Sequence, residues 1–197
     1  MFWGLLMLGL PLSAIIAAFI YLPFYFYQRK NNVDWLRHAI CYTFIGACVL
    51  ISFATLFLGV RFNLNYGKLN LRPFIWLTEV YDMGFRPMIE QLILNIFMFI
   101  PLGILLPIVF KSLRSFWKTV VCSLGITFFI EFIQYFTGRS ADIDDLIMNL
   151  LGGIIGYGMY WLINHFTEDT LWWKKINAMA IDEVSECKDK VFEVDGI

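Results

Sequence analysis

Five long apolar runs dominate the chain, at about 2–27, 38–60, 91–110, 119–137 and 145–165. Each approaches or exceeds the ~18–20 residues a helix needs to cross the hydrocarbon core of a bilayer. The pattern predicts an all-α polytopic membrane protein built as a five-transmembrane-helix bundle. Pro11 and Pro23 in the first run are compatible with this, because membrane helices tolerate proline. Pro101, Gly103 and Pro107 predict a kink or local unwinding in the third. The connection 61–90 is long for a loop without structure. Within it Phe74, Leu77 and Tyr81 recur at helical offsets, with Glu79 and Asp82 between them. That spacing predicts a short amphipathic segment lying in the extracellular membrane interface, a depth that suits Trp76 and Tyr81.

Polar residues interrupt the last three runs at comparable depths. Glu131 and Gln134 lie three residues apart, on one helix face. A short turn with Arg139, Asp142, Asp144 and Asp145 follows, then Asn149 in the fifth run. At a rise of ~1.5 Å per residue, Asn95 and Asn149 sit ~6 Å below one end of their spans and Glu131 ~9 Å below. Asp142, Asp145 and Asn149 form one stripe if the fifth helix starts near Asp142. Polar groups at membrane depth are expensive and by default mark a functional site. The expectation is that Glu131, Asn95, Asn149 and Arg139 converge in one outward-open polar pocket. The competing reading makes the same residues interhelical glue. Gly152 and Gly156 read as a close helix contact, since no strand precedes them to form a phosphate loop.

Composition supports the membrane class. The chain is 59% hydrophobic with only 16% charged residues, against ~25% charged in soluble domains. A net charge of −1 gives no footprint for nucleic acid. Charge distribution sets orientation. Arg29, Lys30, Arg37, Lys111, Arg114, Lys118 and the four lysines of the tail place ten cations on one side, against five on the other, at Arg61, Lys68, Arg72, Arg86 and Arg139. The richer side is expected in the cytoplasm. No cation precedes the first run, so an uncleaved first span with its N-terminus outside is expected. Residues 1–165 read as the membrane domain and 166–197 as a cytoplasmic tail. The tail carries eight acids against four lysines. Trp172, Trp173, Lys174 and Lys175 read as an interfacial anchor.

This topology excludes some chemistry. His38 and His165 fall at the inner edge, so no histidine serves a triad or a zinc site outside. Cys41, Cys122 and Cys187 lie on the inner half and Cys48 lies within a span, so no exported disulfide framework is expected.

The motifs NLRPF (Asn70 to Phe74), Asn95 with FIPLG (Phe99 to Gly103), E-x-x-Q with GR (Glu131, Gln134, Gly138, Arg139) and DIDDLIMN-x-x-GG-x-x-GY (Asp142 to Tyr157) together resemble the VanZ-like family over about 63–160. The matched positions are Asn70, Pro73, Asn95, Pro101, Gly103, Glu131, Gln134, Arg139, Asp142, Asp145, Asn149, Gly152 and Gly156. Arg72 departs from the apolar residue expected before Pro73. The resemblance implies a small multi-pass protein of bacterial, mainly Gram-positive, membranes. It also implies an accessory role in resistance to glycopeptides, in particular teicoplanin, without altered peptidoglycan precursors.

Three functions follow as expectations. In the first, a non-enzymatic protein binds a membrane lipid, an anionic lipid-linked cell-wall polymer or the lipoglycopeptide itself. Asn70, Arg72, Asn95, Glu131, Gln134, Arg139, Asp142, Asp145 and Asn149 would form the site. Arg72, Arg86 and Arg139 would hold phosphate or carboxylate, and Phe74, Trp76 and Tyr81 the apolar part. In the second, a membrane enzyme acts on a lipid-linked phosphate or glycosyl substrate. Glu131 would be its acid/base, and Asp142, Asp144 and Asp145 would hold a divalent cation. In the third, the polar cluster only packs helices. No cofactor is expected under the first reading.

Overall fold

The computed structural model describes residues 5–29, 35–57, 67–74, 76–77 and 84–178. Five helices are long and apolar enough to cross a membrane. They are α1 (Leu10–Arg29), α2 (Trp35–Ser52), α3 (Phe85–Val109), α4 (Phe116–Phe136) and α5 (Ile143–Thr167), followed by a short α6 (Leu171–Ala178). Single π-helical turns, Leu5–Gly9 and Phe53–Phe57, precede α1 and extend α2. Lys30, Arg61, Glu79, Tyr81, Asp82, Cys187 and the rest of 179–197 lie outside the described residues, so the expectations for them are not addressed.

The pairing of α3 with α5 is the most extensive in the bundle. Its cause is legible in the glycines. A Cβ on Gly152 would collide with the Ile96 carbonyl, and one on Gly156 with the Ile100 carbonyl. Gly103 meets the Gly153 backbone in the same way. Two carbonyls one turn apart thus receive two glycines one turn apart, which lets the backbones touch. The core beside this contact is Phe99, Leu102 and Leu106 of α3 with Ile51 and Ile130. Helix α1 packs on α2, where Tyr21 Oη lies 2.6 Å from His38 Nδ1 and Tyr42 donates to the Ala14 carbonyl at 2.8 Å.

Three expectations change. Pro101 and Pro107 do not unwind α3, which is helical over all 25 residues. It also begins six residues before the apolar run, and its first turns carry an exposed i,i+4 ion pair between Arg86 and Glu90 at 3.1 Å. Trp173 is not an interfacial anchor. It is 3% exposed, and its indole N–H donates to Asn164 Oδ1 at 2.8 Å, while Trp172 stays exposed. An amide acceptor inside the bundle satisfies the indole, so the ring is buried against Tyr160 rather than lipid. Arg114 then fixes the end of α6 by donating to the Asn177 carbonyl at 2.8 Å.

The described part of the connection before α3, residues 67–74, is tied to the turn between α4 and α5. Leu69–Asn70 (β1) and Ala141–Asp142 (β2) pair as two short parallel strands. Gly67 donates to the Tyr135 carbonyl at 2.8 Å, and a Cβ there would strike the Arg139 carbonyl. Trp76 and Leu77 are helical.

Candidate functional site

The turn between α4 and α5 is built by two local motifs. Gly138 closes α4 with φ 79°, and Arg139 N donates back to the Gln134 carbonyl at 3.0 Å. This is a Schellman ending, which favours glycine at the left-handed position. Asp142 then caps α5, its Oδ1 accepting from Asp144 N at 2.9 Å. Only three residues, Arg139 to Ala141, separate the two motifs, so the turn has little freedom.

Each acidic side chain of the turn has a different partner. Asp142 Oδ2 accepts from Asn70 Nδ2 at 3.0 Å, and Asn70 Oδ1 accepts from Arg72 N at 3.2 Å. Asp144 is 4% exposed and accepts from Phe74 N at 2.7 Å and Trp76 N at 3.4 Å. Asp145 accepts from Asn95 Nδ2 of α3 at 2.6 Å. Three aspartates therefore tie the connection before α3, and α3 itself, to the first turn of α5. Among the described residues no three His, Cys, Asp or Glu side chains are placed to share a metal ion. The sequence offered Asp144 only as a cation ligand under the enzyme alternative, and its contacts with Phe74 N and Trp76 N were not foreseen. The signal for these contacts, a carboxylate in the first turn of a helix facing a loop, has no fixed spacing in sequence.

The remaining polar residues separate into two groups. Glu131, 7% exposed, accepts from Asp142 N at 2.9 Å. Asn149, 2% exposed, donates to Thr127 Oγ1 at 3.0 Å. Gln134 Nε2 and the Arg139 guanidinium both donate to the Thr55 carbonyl, at 2.8 and 2.5 Å. Thr55 lies in the π turn after α2, so these two bonds fasten α2 to the α4 terminus.

An apolar groove with a polar edge lies beside Glu131 and Asp142. It has a volume of about 560 Å³, and its apolar walls include Leu71, Phe128, Phe132, Tyr135, Phe136 and Leu146. Of the nine residues expected to form the site, Asn70, Glu131 and Asp142 line it. Asn95, Gln134, Arg139, Asp145 and Asn149 do not, since each has found a partner between helices. Arg72 is exposed beside the groove, and Arg86 pairs with Glu90.

A five-helix membrane bundle whose last two spans are joined by an aspartate-rich, hydrogen-bonded turn is the class these features define. The family model described as VanZ/LLP1 matches residues 39–164, and the chain belongs to that family. Protein VanZ of Enterococcus faecium is 38% identical over 125 residues, which cover 62% of this chain and 65% of that protein. The chain thus spans just under two thirds of the length of this relative. No solved structure matches. The family match begins inside α2, earlier than the 63–160 stretch that carries the motifs. This accords with the part Thr55 plays in holding Gln134 and Arg139.

Proposed function

We propose that this protein contributes to resistance against teicoplanin-type lipoglycopeptides by holding the drug's acyl chain in the groove between β1, α4 and α5. The observation that carries the reading is the groove itself: aromatic and aliphatic walls, with Glu131, Asp142 and Asn70 along one edge. An acyl chain is complementary to such walls. The edge offers carboxyl oxygens and an amide, which suit hydrogen-bond donors on the attached head. A phosphate head is disfavoured there by the carboxyl groups. Of the three arginines expected to compensate, Arg86 is paired with Glu90 and Arg139 donates to Thr55, which leaves the exposed Arg72 as one cation beside the two carboxyl groups of the edge. Among a lipid, an anionic cell-wall polymer and the drug, the drug fits the charge best. Membership of the VanZ/LLP1 family and the likeness to Protein VanZ support resistance as the physiological setting.

In the proposed orientation the β1–β2 end faces outward and α6 faces the cytoplasm, following the distribution of lysine and arginine. The groove then opens to the outer leaflet, where an externally added drug arrives.

The test fills the groove. Leu146→Trp adds an indole to its wall. Cells expressing it at the wild-type level should lose protection against teicoplanin and show unchanged sensitivity to a glycopeptide without an acyl chain. Full protection by a well-folded Leu146→Trp protein would reject acyl binding in this groove.

A further inference from the structure

Helix α2 runs between two apolar grooves that the proposed drug site does not use. One, of about 490 Å³, lies between α1 and α2, with Ile16 and Ile20 opposite Phe44, Ile45 and Phe53. The other, of about 420 Å³, lies between α2 and α4 over Leu102, with Ile51 and Leu56 opposite Gly125, Ile126 and Phe129. Cys48 and Ser52 line both, so one face of α2 divides them. Ile20, Gly125 and Phe129 are exposed, which leaves both grooves open to the hydrocarbon of the membrane. The Ser52 hydroxyl is satisfied within α2, donating to the Cys48 carbonyl at 2.8 Å.

The dividing face leads to a cation. Arg37, Cys41, Cys48 and Ser52 succeed one another at offsets of four, seven and four residues, which places them along one side of the helix. Arg37 stands in the first turn of α2. Phe44, the nearest groove residue of this helix, is seven residues away, a rise of ~10 Å. Side chains of a helix lean toward its N-terminus, so the guanidinium reaches away from the grooves, toward the membrane face. Arg37 Nε is buried without a hydrogen-bond partner among the described residues. The Cys41 thiol one turn on bonds to the guanidinium, but a thiol is only a weak acceptor. The neighbouring His38 is engaged with Tyr21. Arg37 therefore has donors to spare, where an anion would use them.

Shape selects the occupant. A partner helix is ~10–12 Å across and would meet the ridge of α2 between the grooves. Two thin chains can lie one on each side of that ridge. The ~10 Å between Arg37 and the grooves matches the step from a lipid phosphate past the glycerol to the acyl chains, since headgroup regions add ~5–7 Å to each side of the hydrocarbon core. A guanidinium is suited to phosphate by its paired N–H donors.

We propose that a two-chain anionic phospholipid sits astride α2, with its phosphate on Arg37 and one acyl chain in each groove. Bound there, it bridges α1 and α4 across α2. Its head lies at the end of the bundle opposite the β1–β2 turn, and its binding does not depend on the drug.

The experiment titrates purified full-length protein in detergent with phosphatidylglycerol, lyso-phosphatidylglycerol and phosphatidylcholine of the same acyl chains, and counts bound lipid by native mass spectrometry. The wild type should hold one phosphatidylglycerol about fivefold more tightly than phosphatidylcholine, the scale of one basic side chain at a membrane surface. The single-chain lyso form leaves one groove empty and should bind at least about tenfold more weakly than phosphatidylglycerol. Arg37→Gln should bring phosphatidylglycerol down to the phosphatidylcholine level. Gly125→Leu fills the α2–α4 groove, where nothing lies within 4 Å of an added Cβ, and should weaken phosphatidylglycerol with Arg37 intact. Lys174→Gln removes an exposed cation of α6 and should bind like the wild type. Equal wild-type affinity for phosphatidylglycerol and phosphatidylcholine overturns the proposal, as does a lyso form that binds equally well. So does a folded Arg37→Gln with wild-type affinity, or a Lys174→Gln that loses as much as Arg37→Gln. If Arg37→Gln does not give monodisperse protein, Gly125→Leu decides, and undiminished phosphatidylglycerol binding by it overturns the site.

Discussion

The Asp144 carboxylate accepts the backbone N–H of Phe74 at 2.7 Å, and Phe74 holds a φ of 63°. A bulky residue in the left-handed region is uncommon and costs ~1–2 kcal/mol. Here the conformation turns the chain so that the Trp76 N–H also reaches Asp144. Asp144→Ala should release both donors and destabilise the protein by about 1–3 kcal/mol. The check is a lower Tm in detergent together with faster proteolysis between residues 67 and 77. Unchanged proteolysis would deny Asp144 its role as the clamp.

The glycines of α5 make a paired prediction. Gly156→Ala drives a methyl into the Ile100 carbonyl, and backbone atoms at this contact have nowhere to go. It should cost more than the ~1–3 kcal/mol typical of overpacking by a single small group and cut the yield of monodisperse protein. Gly158→Ala, with nothing within 4 Å of the added Cβ, should instead gain up to ~1 kcal/mol from helix propensity. Thermal unfolding of the two variants side by side tests the asymmetry. Equal behaviour would mean that α3 and α5 are not in close contact.

Orientation is open to chemical labelling. On a background lacking Cys41, Cys48, Cys122 and Cys187, Lys68→Cys and Ser140→Cys should react with an impermeant maleimide added to intact cells. Lys118→Cys and Lys175→Cys should react only after permeabilisation. The reverse result would invert the proposed topology.

Glu131→Gln separates charge from shape. The amide oxygen can still accept from Asp142 N, so the fold should persist with a Tm near that of the wild type. Teicoplanin protection should nevertheless drop, since the groove edge loses an acidic oxygen facing the ligand's donors. Glu131→Leu orphans the Asp142 N–H and should cost a further ~1–3 kcal/mol of stability. Measuring inhibitory concentration at matched expression distinguishes the two effects. A Glu131→Gln protein with wild-type protection would show that the carboxyl is not required.

The number of spans and the close glycine contact were determined by sequence, whereas the fifth run, read as 145–165, begins earlier, at Ile143 with Asp142 as its cap. They depend on runs of apolar residues and on local spacing, which dominate when the backbone must satisfy itself in lipid. Sequence also singled out Glu131, Gln134, Asn95 and Asn149 as buried polar residues that need partners. Only the tertiary structure decided which partners they have. Asn95 takes Asp145, Asn149 takes Thr127, and Gln134 shares the Thr55 carbonyl with Arg139. Thr55 sits 79 residues from Gln134. No periodicity or propensity links them, because the bond depends on how α2 and α4 lie against each other. The same holds for β1 against β2, and for Asp144 with Phe74, 70 residues away. Polar groups buried in an apolar bundle must pair, but the choice among possible partners belongs to helix packing, which the one-dimensional pattern does not contain.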